Sequence, residues 1–137
     1  MKVKLLHPDA KLPTKAHDTD AGFDLYSLED RLIEPHTTVK ISTGIAFGFD
    51  PGTYGLIRDR SSCGSKGILV AGGVLDNLYT GHCIVCLTNS NTYDYMIEKG
   101  NRIAQLLILP LIETKIEVVN ELSTTNRGEK GFGSSGV

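Results

Sequence analysis

The chain has no excess of basic charge, no long apolar run and no even set of cysteines, and each absence narrows what it can be. Fourteen Lys and Arg stand against sixteen Asp and Glu, for a formal net charge of −2. A broad nucleic-acid footprint needs a clustered basic surface and is therefore not expected. A small polyanion is a different matter, because a few arginines placed locally suffice to hold one. No apolar stretch approaches the ~20 residues of a membrane-spanning helix, and Leu106 to Leu109 is closed at once by Pro110. The opening, Met1 to Pro8, carries no apolar signal core. Three cysteines leave one over in any disulfide scheme. That points to a reducing compartment, the cytoplasm, or the nucleus in a eukaryotic or viral setting. Cys83 and Cys86 form a lone CxxC inside the apolar run Cys83 to Leu87. Strand alternation aims them at opposite faces, and both are expected to be buried and inert.

What is present suits one β-rich domain. The 137 residues are 40% apolar, enough for a packed core. Fifteen glycines interrupt the chain at short intervals, as many short strands and tight turns require. Over 38–49, Val39, Ile41, Thr43, Ile45, Phe47 and Phe49 alternate with Lys40, Ser42, Gly44, Ala46 and Gly48, a strand pattern closed by the turn Asp50-Pro51-Gly52. Further strands are expected at 2–6, 54–58, 82–88, 102–109 and 115–119. Leu25, Leu28 and Leu32 have helical spacing in a stretch without Gly or Pro, so periodicity leaves helix and strand both open there. The run 102–109 is apolar on both faces apart from Arg102 and Gln105 and reads as an interior strand, in which Gln105 needs a polar partner. The final stretch, 127–137, holds four glycines, two serines and one aromatic, Phe132. It cannot build a core, and orders only over a ligand or a neighbouring subunit if it orders at all.

Five segments carry chemical groups. Asp20 to Leu25 sets two carboxylates around Gly22. Arg60-Ser61-Ser62-Cys63-Gly64 offers a planar cation, hydroxyls and backbone amides suited to phosphate oxygens. Gly72 to Gly81 reads as a hairpin with Asp76 and Tyr79 near its tip. Gly100 to Leu106 leads into the interior strand. Arg127 to Gly136 couples an arginine to glycines that permit close approach to phosphates. Singly, each also fits a solvated turn or surface loop.

In this order and at these intervals the five segments resemble the five motifs of the trimeric dUTPases, over nearly the whole chain. The resemblance implies an all-β, dUTPase-like jelly-roll barrel with little helix. It also implies a domain over 1–126 and a C-terminal arm, 127–137, exchanged between subunits, and it favours strand and turn over helix at 23–34. The implied reaction is Mg²⁺-dependent hydrolysis of dUTP to dUMP and pyrophosphate by a homotrimer. One subunit would lend the first, second and fourth motifs to a site, another the third and another the fifth. Asp24 would bind the metal through water; Arg60, Ser61, Ser62 and Gln105 would hold the triphosphate. Backbone groups around Gly73 and Val74 would read the uracil edge, Asp76 would activate the attacking water, and Tyr79 would lie against the deoxyribose and exclude a 2′-hydroxyl. Arg127, Phe132, Gly133, Ser134 and Ser135 would close the site.

Three positions depart from the resemblance. Asp59 stands where proline is common, which would loosen the loop or weaken phosphate attraction. His82 stands in place of an acid or amide, and Asn101 in place of aspartate. Two rivals remain. A dCTP deaminase shares such a fold, but its chemistry needs a glutamate on the strand after the hairpin, and Ile84 to Asn89 contains no acid. A nucleotide-occupied binding module controlling a protein partner would have no need for Asp76, Arg60 and the tail together. His7, His17 and His36, with Cys63, do not make a convincing metal-ligand spacing.

Overall fold

The turn residues cut the chain into ten strands and one helical turn among the residues described in the computed structural model, 1–125 and Gly128. In chain order these are β1 (Lys2–Leu5), β2 (Gly22–Tyr26), β3 (Arg31–Ile33), β4 (Thr38–Gly48), β5 (Thr53–Arg58), α1 (Ser61–Gly64), β6 (Ile68–Ala71), β7 (Val74–Leu75), β8 (His82–Asn89), β9 (Tyr95–Ile97) and β10 (Arg102–Pro110). One sheet runs β1-β4-β8-β6, a second β2-β10-β5-β7, and β3 with β9 makes a two-stranded ribbon. Every pairing is antiparallel. One core joins all three, with Ile41, Phe47, Val85 and Leu87 from the first sheet meeting Leu25, Ile57, Ile103 and Leu106 from the second and Ile33 and Ile97 from the ribbon. This is the jelly-roll layout expected, with two packed sheets. No described helix is long and apolar enough to cross a membrane.

The period-two pattern of β4 is real but interrupted. Between Ser42 and Ala46 the register with β8 shifts, and Gly44 takes a φ of 70°, which favours glycine. His82 closes this bulge. Its Nε2 accepts the Gly44 amide at 3.2 Å and lies 3.0 Å from the Ser42 hydroxyl. β10 is the interior strand its two apolar faces predicted, paired on one side with β2 and on the other with β5.

Periodicity leaves helix and strand both open over Leu25, Leu28 and Leu32, and the strand-and-turn reading favoured there holds: Leu25 lies in β2, fully buried, and Leu32 in β3. Pairing with β10 and β9 supplies ladder hydrogen bonds that a three-residue spacing cannot outweigh. The segment 72–81 is a turn and not a hairpin, because β7 pairs with β5 while β8 joins the other sheet. No strand forms at 115–119, where every residue is exposed. A strand needs a neighbour, and among the described residues none lies beside it. Cys83 is buried as expected, but Cys86 is only half-buried, because its face of β8, with Ile84 beside it, looks outward from the single subunit.

Burial pushes the Cys83 thiol up from 9.0 to about 11. An unfolded thiol therefore loses its proton first, and between these values deprotonation favours the unfolded state. Stability is expected to fall as pH rises from 9.0 to about 11, by about 2–3 kcal/mol in total. Denaturation series on the wild type and on Cys83→Ala check this. The steeper alkaline loss belongs to the wild type, and equal slopes would contradict it.

Asn89 is fully buried between sheet and ribbon and completely satisfied. Its amide donates to the Ile33 carbonyl at 2.9 Å and the Tyr93 carbonyl at 2.7 Å, and its Oδ1 accepts the Asn91 amide at 3.0 Å. Asn89→Ala orphans those groups and is expected to cost about 2–4 kcal/mol in urea denaturation. A loss under ~1 kcal/mol would show that water replaces the side chain.

Candidate active site

β5 organises the site, because its two ends carry different chemistry. At its C-terminal end the chain turns through Asp59 and Arg60 into α1. β10 runs antiparallel alongside, with Gln105 opposite Arg58, and β2 lies beyond with Asp24 opposite Gln105. The register thus brings the first, second and fourth motifs to one edge. Ala16, Asp20, Gly22, Asp24, Arg60, Ser61, Arg102 and Gln105 line a cleft of about 240 Å³ there. A second hollow of about 420 Å³ adjoins it across Arg60 and Arg102 and takes in Ser62 and Lys66.

Asp24 is the electrostatic centre of that edge. Its side chain is 13% exposed and accepts Arg60 Nε at 2.6 Å on one oxygen and an Arg102 guanidinium nitrogen at 3.2 Å on the other. Arg60 also donates to the Ser62 hydroxyl at 3.1 Å. Two guanidinium groups share the Asp24 carboxylate, and with Asp20 also in the lining the charges of the cleft balance, while N–H donors of both arginines stand beside Ser61 and Ser62, both exposed. Such a surface takes phosphate oxygens. Arg102 was not singled out from the sequence. Its role appears only because a register shift between Arg102 and Ala104 lets it reach across to Asp24.

The polar partner that Gln105 needs is the Asp59 carbonyl, 2.9 Å from Nε2. Asp59 does not loosen the loop. Its carboxylate accepts the Val70 amide at 3.1 Å and so ties the loop to β6. Asn101 keeps the acceptor that aspartate would supply, its Oδ1 taking the Glu98 amide at 3.1 Å in the turn before β10.

The third motif lies at the other end of β5. Leu75 pairs with Gly55, so Asp76 falls beside Tyr54. Asp76 is exposed and lines a separate, largely apolar hollow with Tyr54, Val74, Asn77, Leu78 and Leu111. β5 itself, from Thr53 to Arg58, spans roughly 17 Å. Asp76 and Arg60 of one chain therefore stand beyond opposite ends of this strand. The turn itself is firm: Tyr79 N–H donates to the Asp76 carbonyl at 3.0 Å, and Asn77 bonds the Asp50 and Thr53 carbonyls at 2.9 and 2.6 Å. Gly73 is required there. Its φ is 100°, its carbonyl accepts the Ile57 amide at 2.7 Å, and a Cβ would come 2.5 Å from the Ile57 carbonyl oxygen. The Tyr79 hydroxyl is held by the His82 carbonyl at 3.1 Å. Arg127, Phe132, Gly133, Ser134 and Ser135 lie outside the described residues.

This arrangement has known counterparts. The dUTPase family description matches residues 8–136. The chain belongs to the dUTPase family. Curated dUTP nucleotidohydrolases similar to it include that of Clostridium tetani, 42% identical over 99% of this chain and 96% of its own length. Another is that of Saccharomyces cerevisiae, 40% identical over 99% and 94%. Among solved structures, the dUTPase of Staphylococcus bacteriophage 80alpha with dUpNHpp superposes with a TM-score of 0.92 and 34% identity, covering 99% of this chain and 98% of that one. A dUTPase of the S. aureus phage phi11, described with a structural Mg(II) ion, gives a TM-score of 0.83 and 27% identity over 90% and 98%.

No cluster of three or more His, Cys, Asp or Glu among the described residues could hold a metal ion by itself. Asp24 alone still fits magnesium. That ion keeps several waters and needs only one or two carboxylates besides substrate phosphates. An ion held through water also leaves both guanidinium contacts of Asp24 in place.

Proposed function

We propose that this dUTPase hydrolyses dUTP to dUMP and pyrophosphate as a Mg²⁺-dependent homotrimer, each site combining the Arg60 edge of one subunit with the Asp76 turn of another. The carrying observation is that Asp76 and Arg60 of one chain lie at opposite ends of β5. Exposed apolar surface supports the assembly: Val74 and Leu78 around Asp76, and Ile112, Ile116, Val118 and Leu122 along 111–125. Val74, Leu78 and Leu111 line one hollow beside Asp76, and exposed apolar patches of that kind mark interaction surfaces.

In this reading Arg60, Ser61, Ser62 and Gln105 hold the triphosphate, and Asp24 holds Mg²⁺ through water, where the ion adds charge neutralisation. Water meets a wall of negative charge at phosphorus, so positioning and neutralisation carry most of the barrier reduction. Asp76 takes the proton of the attacking water. Backbone groups around Gly73 and Val74 read the uracil edge, and Tyr79, fixed through its hydroxyl, blocks a 2′-hydroxyl. A hydrogen-bonding edge discriminates uracil from cytosine strongly, because mismatching leaves buried groups unpaired. Arg127, Phe132, Gly133, Ser134 and Ser135 close the site from a further subunit.

The test is pyrophosphate release from dUTP, dCTP, dTTP and UTP assayed side by side. Strong preference for dUTP is expected, and comparable kcat/KM on another of the four would overturn the reading. Ammonia release from dCTP would indicate a deaminase, and slow turnover with tight dUTP binding a binding module.

Site sharing has its own check. Arg60→Ala and Asp76→Asn subunits, each crippled alone, are co-expressed. Random mixing gives about a quarter of sites both intact groups when these come from different subunits. Activity no greater than the two variants alone would place both groups in one subunit.

A further inference from the structure

Asp59 stands where proline was expected. Proline stiffens a loop through its ring; aspartate has no such constraint, yet here it makes two contacts that do the same work. Its Oδ1 accepts the Val70 amide at 3.1 Å, and its carbonyl accepts the Gln105 side-chain amide at 2.9 Å. Val70 lies on β6, the edge of the first sheet, paired only with β8. Gln105 lies on β10, in the interior of the second. One residue thus joins the two sheets immediately before Arg60 and Ser61, and touches a third lining residue of the same cleft, Gln105.

We propose that Asp59 is a positioning residue for the triphosphate. Its carboxylate anchors 59–64 to the β6 edge, and so holds Arg60, Ser61 and Gln105 in the arrangement that receives phosphate oxygens. The proposal rests on the dUTP reading above. A plain alternative is that a carboxylate beside a phosphate-binding arginine only repels the substrate. The two differ in the sign of what alanine does. Asparagine keeps an Oδ1 acceptor and loses the charge, whereas alanine loses both.

The experiment measures KM and kcat for dUTP in the wild type, Asp59→Asn and Asp59→Ala, together with amide exchange at Val70. Asp59→Asn is expected to stay within about threefold of the wild-type KM, and Asp59→Ala to raise KM about tenfold with kcat changed less than about threefold. Val70 should be protected in the wild type and Asp59→Asn, and exchange quickly in Asp59→Ala. A KM that falls in both variants overturns the proposal in favour of simple repulsion, and one that rises equally in both overturns it as well. So does a loss confined to kcat. If Asp59→Ala does not assemble, the wild type and Asp59→Asn decide: an unprotected Val70 in the wild type, or an Asp59→Asn KM raised tenfold with Val70 still protected, overturns the tether. A wild type that does not hydrolyse dUTP defeats the functional reading itself. An active wild type with an unaltered Asp59→Ala KM defeats only this inference.

Discussion

Asp76→Asn is expected to lower turnover of dUTP by about 100-fold or more while dUTP binding stays within about threefold. Asparagine preserves size and shape but is a far weaker base. The turn that presents residue 76 is held by main-chain contacts, the Tyr79 amide on the Asp76 carbonyl at 3.0 Å, and by Asn77 on the Asp50 and Thr53 carbonyls. None of these uses the Asp76 carboxylate, so the variant should fold and assemble. In the proposed reading triphosphate binding depends on the opposite end of β5, at Arg60, Ser61 and Gln105, which the substitution does not touch. The measurements are single-turnover rates and equilibrium binding of a non-hydrolysable dUTP analogue. Near-normal kcat would make Asp76 a turn former only, and a matching loss of binding would place it in substrate recognition.

Removing 127–137 is expected to leave the trimer folded and to cut kcat by on the order of 100-fold, the scale on which closing segments position substrate. Pro110 ends β10 beside Thr53, and Leu111 N–H donates to the Gly52 carbonyl at 2.8 Å. The chain therefore leaves the domain at the Asp76 end of β5, far from its own Arg60. From there 111–125 runs exposed and without a strand partner. In the proposed reading a bound triphosphate would give Arg127 an anionic partner, Phe132 a base to stack on, and Ser134 and Ser135 acceptors. Closure also excludes water, which strengthens the electrostatic contacts that remain. Light scattering and steady-state kinetics on the truncated chain check this. Full-rate turnover would sink the lid role, and loss of the trimer would show that the arm serves assembly first.

Several elements were legible from the sequence because their signal is local. The alternation over 38–49, the doubly apolar run at 102–109 and the turn at Asp50-Pro51-Gly52 each encode a strand or its end without reference to the rest of the chain. The motif segments were legible for the same reason, since Arg60-Ser61-Ser62 or Gly73 to Asp76 carries its chemistry within a few residues. Where the state depends on a partner, periodicity left it open or pointed the wrong way. Leu25, Leu28 and Leu32 have helical spacing that leaves helix and strand both open, and β10 and β9 decide for strand. The stretch 115–119 has strand composition but no strand beside it among the described residues.

The residue types at the candidate site, the cation and hydroxyls of the Arg60 loop and the carboxylate of Asp76 were determined by sequence alone. Tertiary structure alone decided which of them meet. The antiparallel register of β2, β10 and β5 puts Asp24, Gln105 and Arg60 at one edge and sends Asp76 to the other. It also converts Arg102 into a second cation on Asp24 and Asp59 into a tether. The reason is geometric. Side-chain chemistry is written residue by residue, but sheet register is set by the burial of whole faces at once, and moving a strand by one residue turns every side chain to the other face.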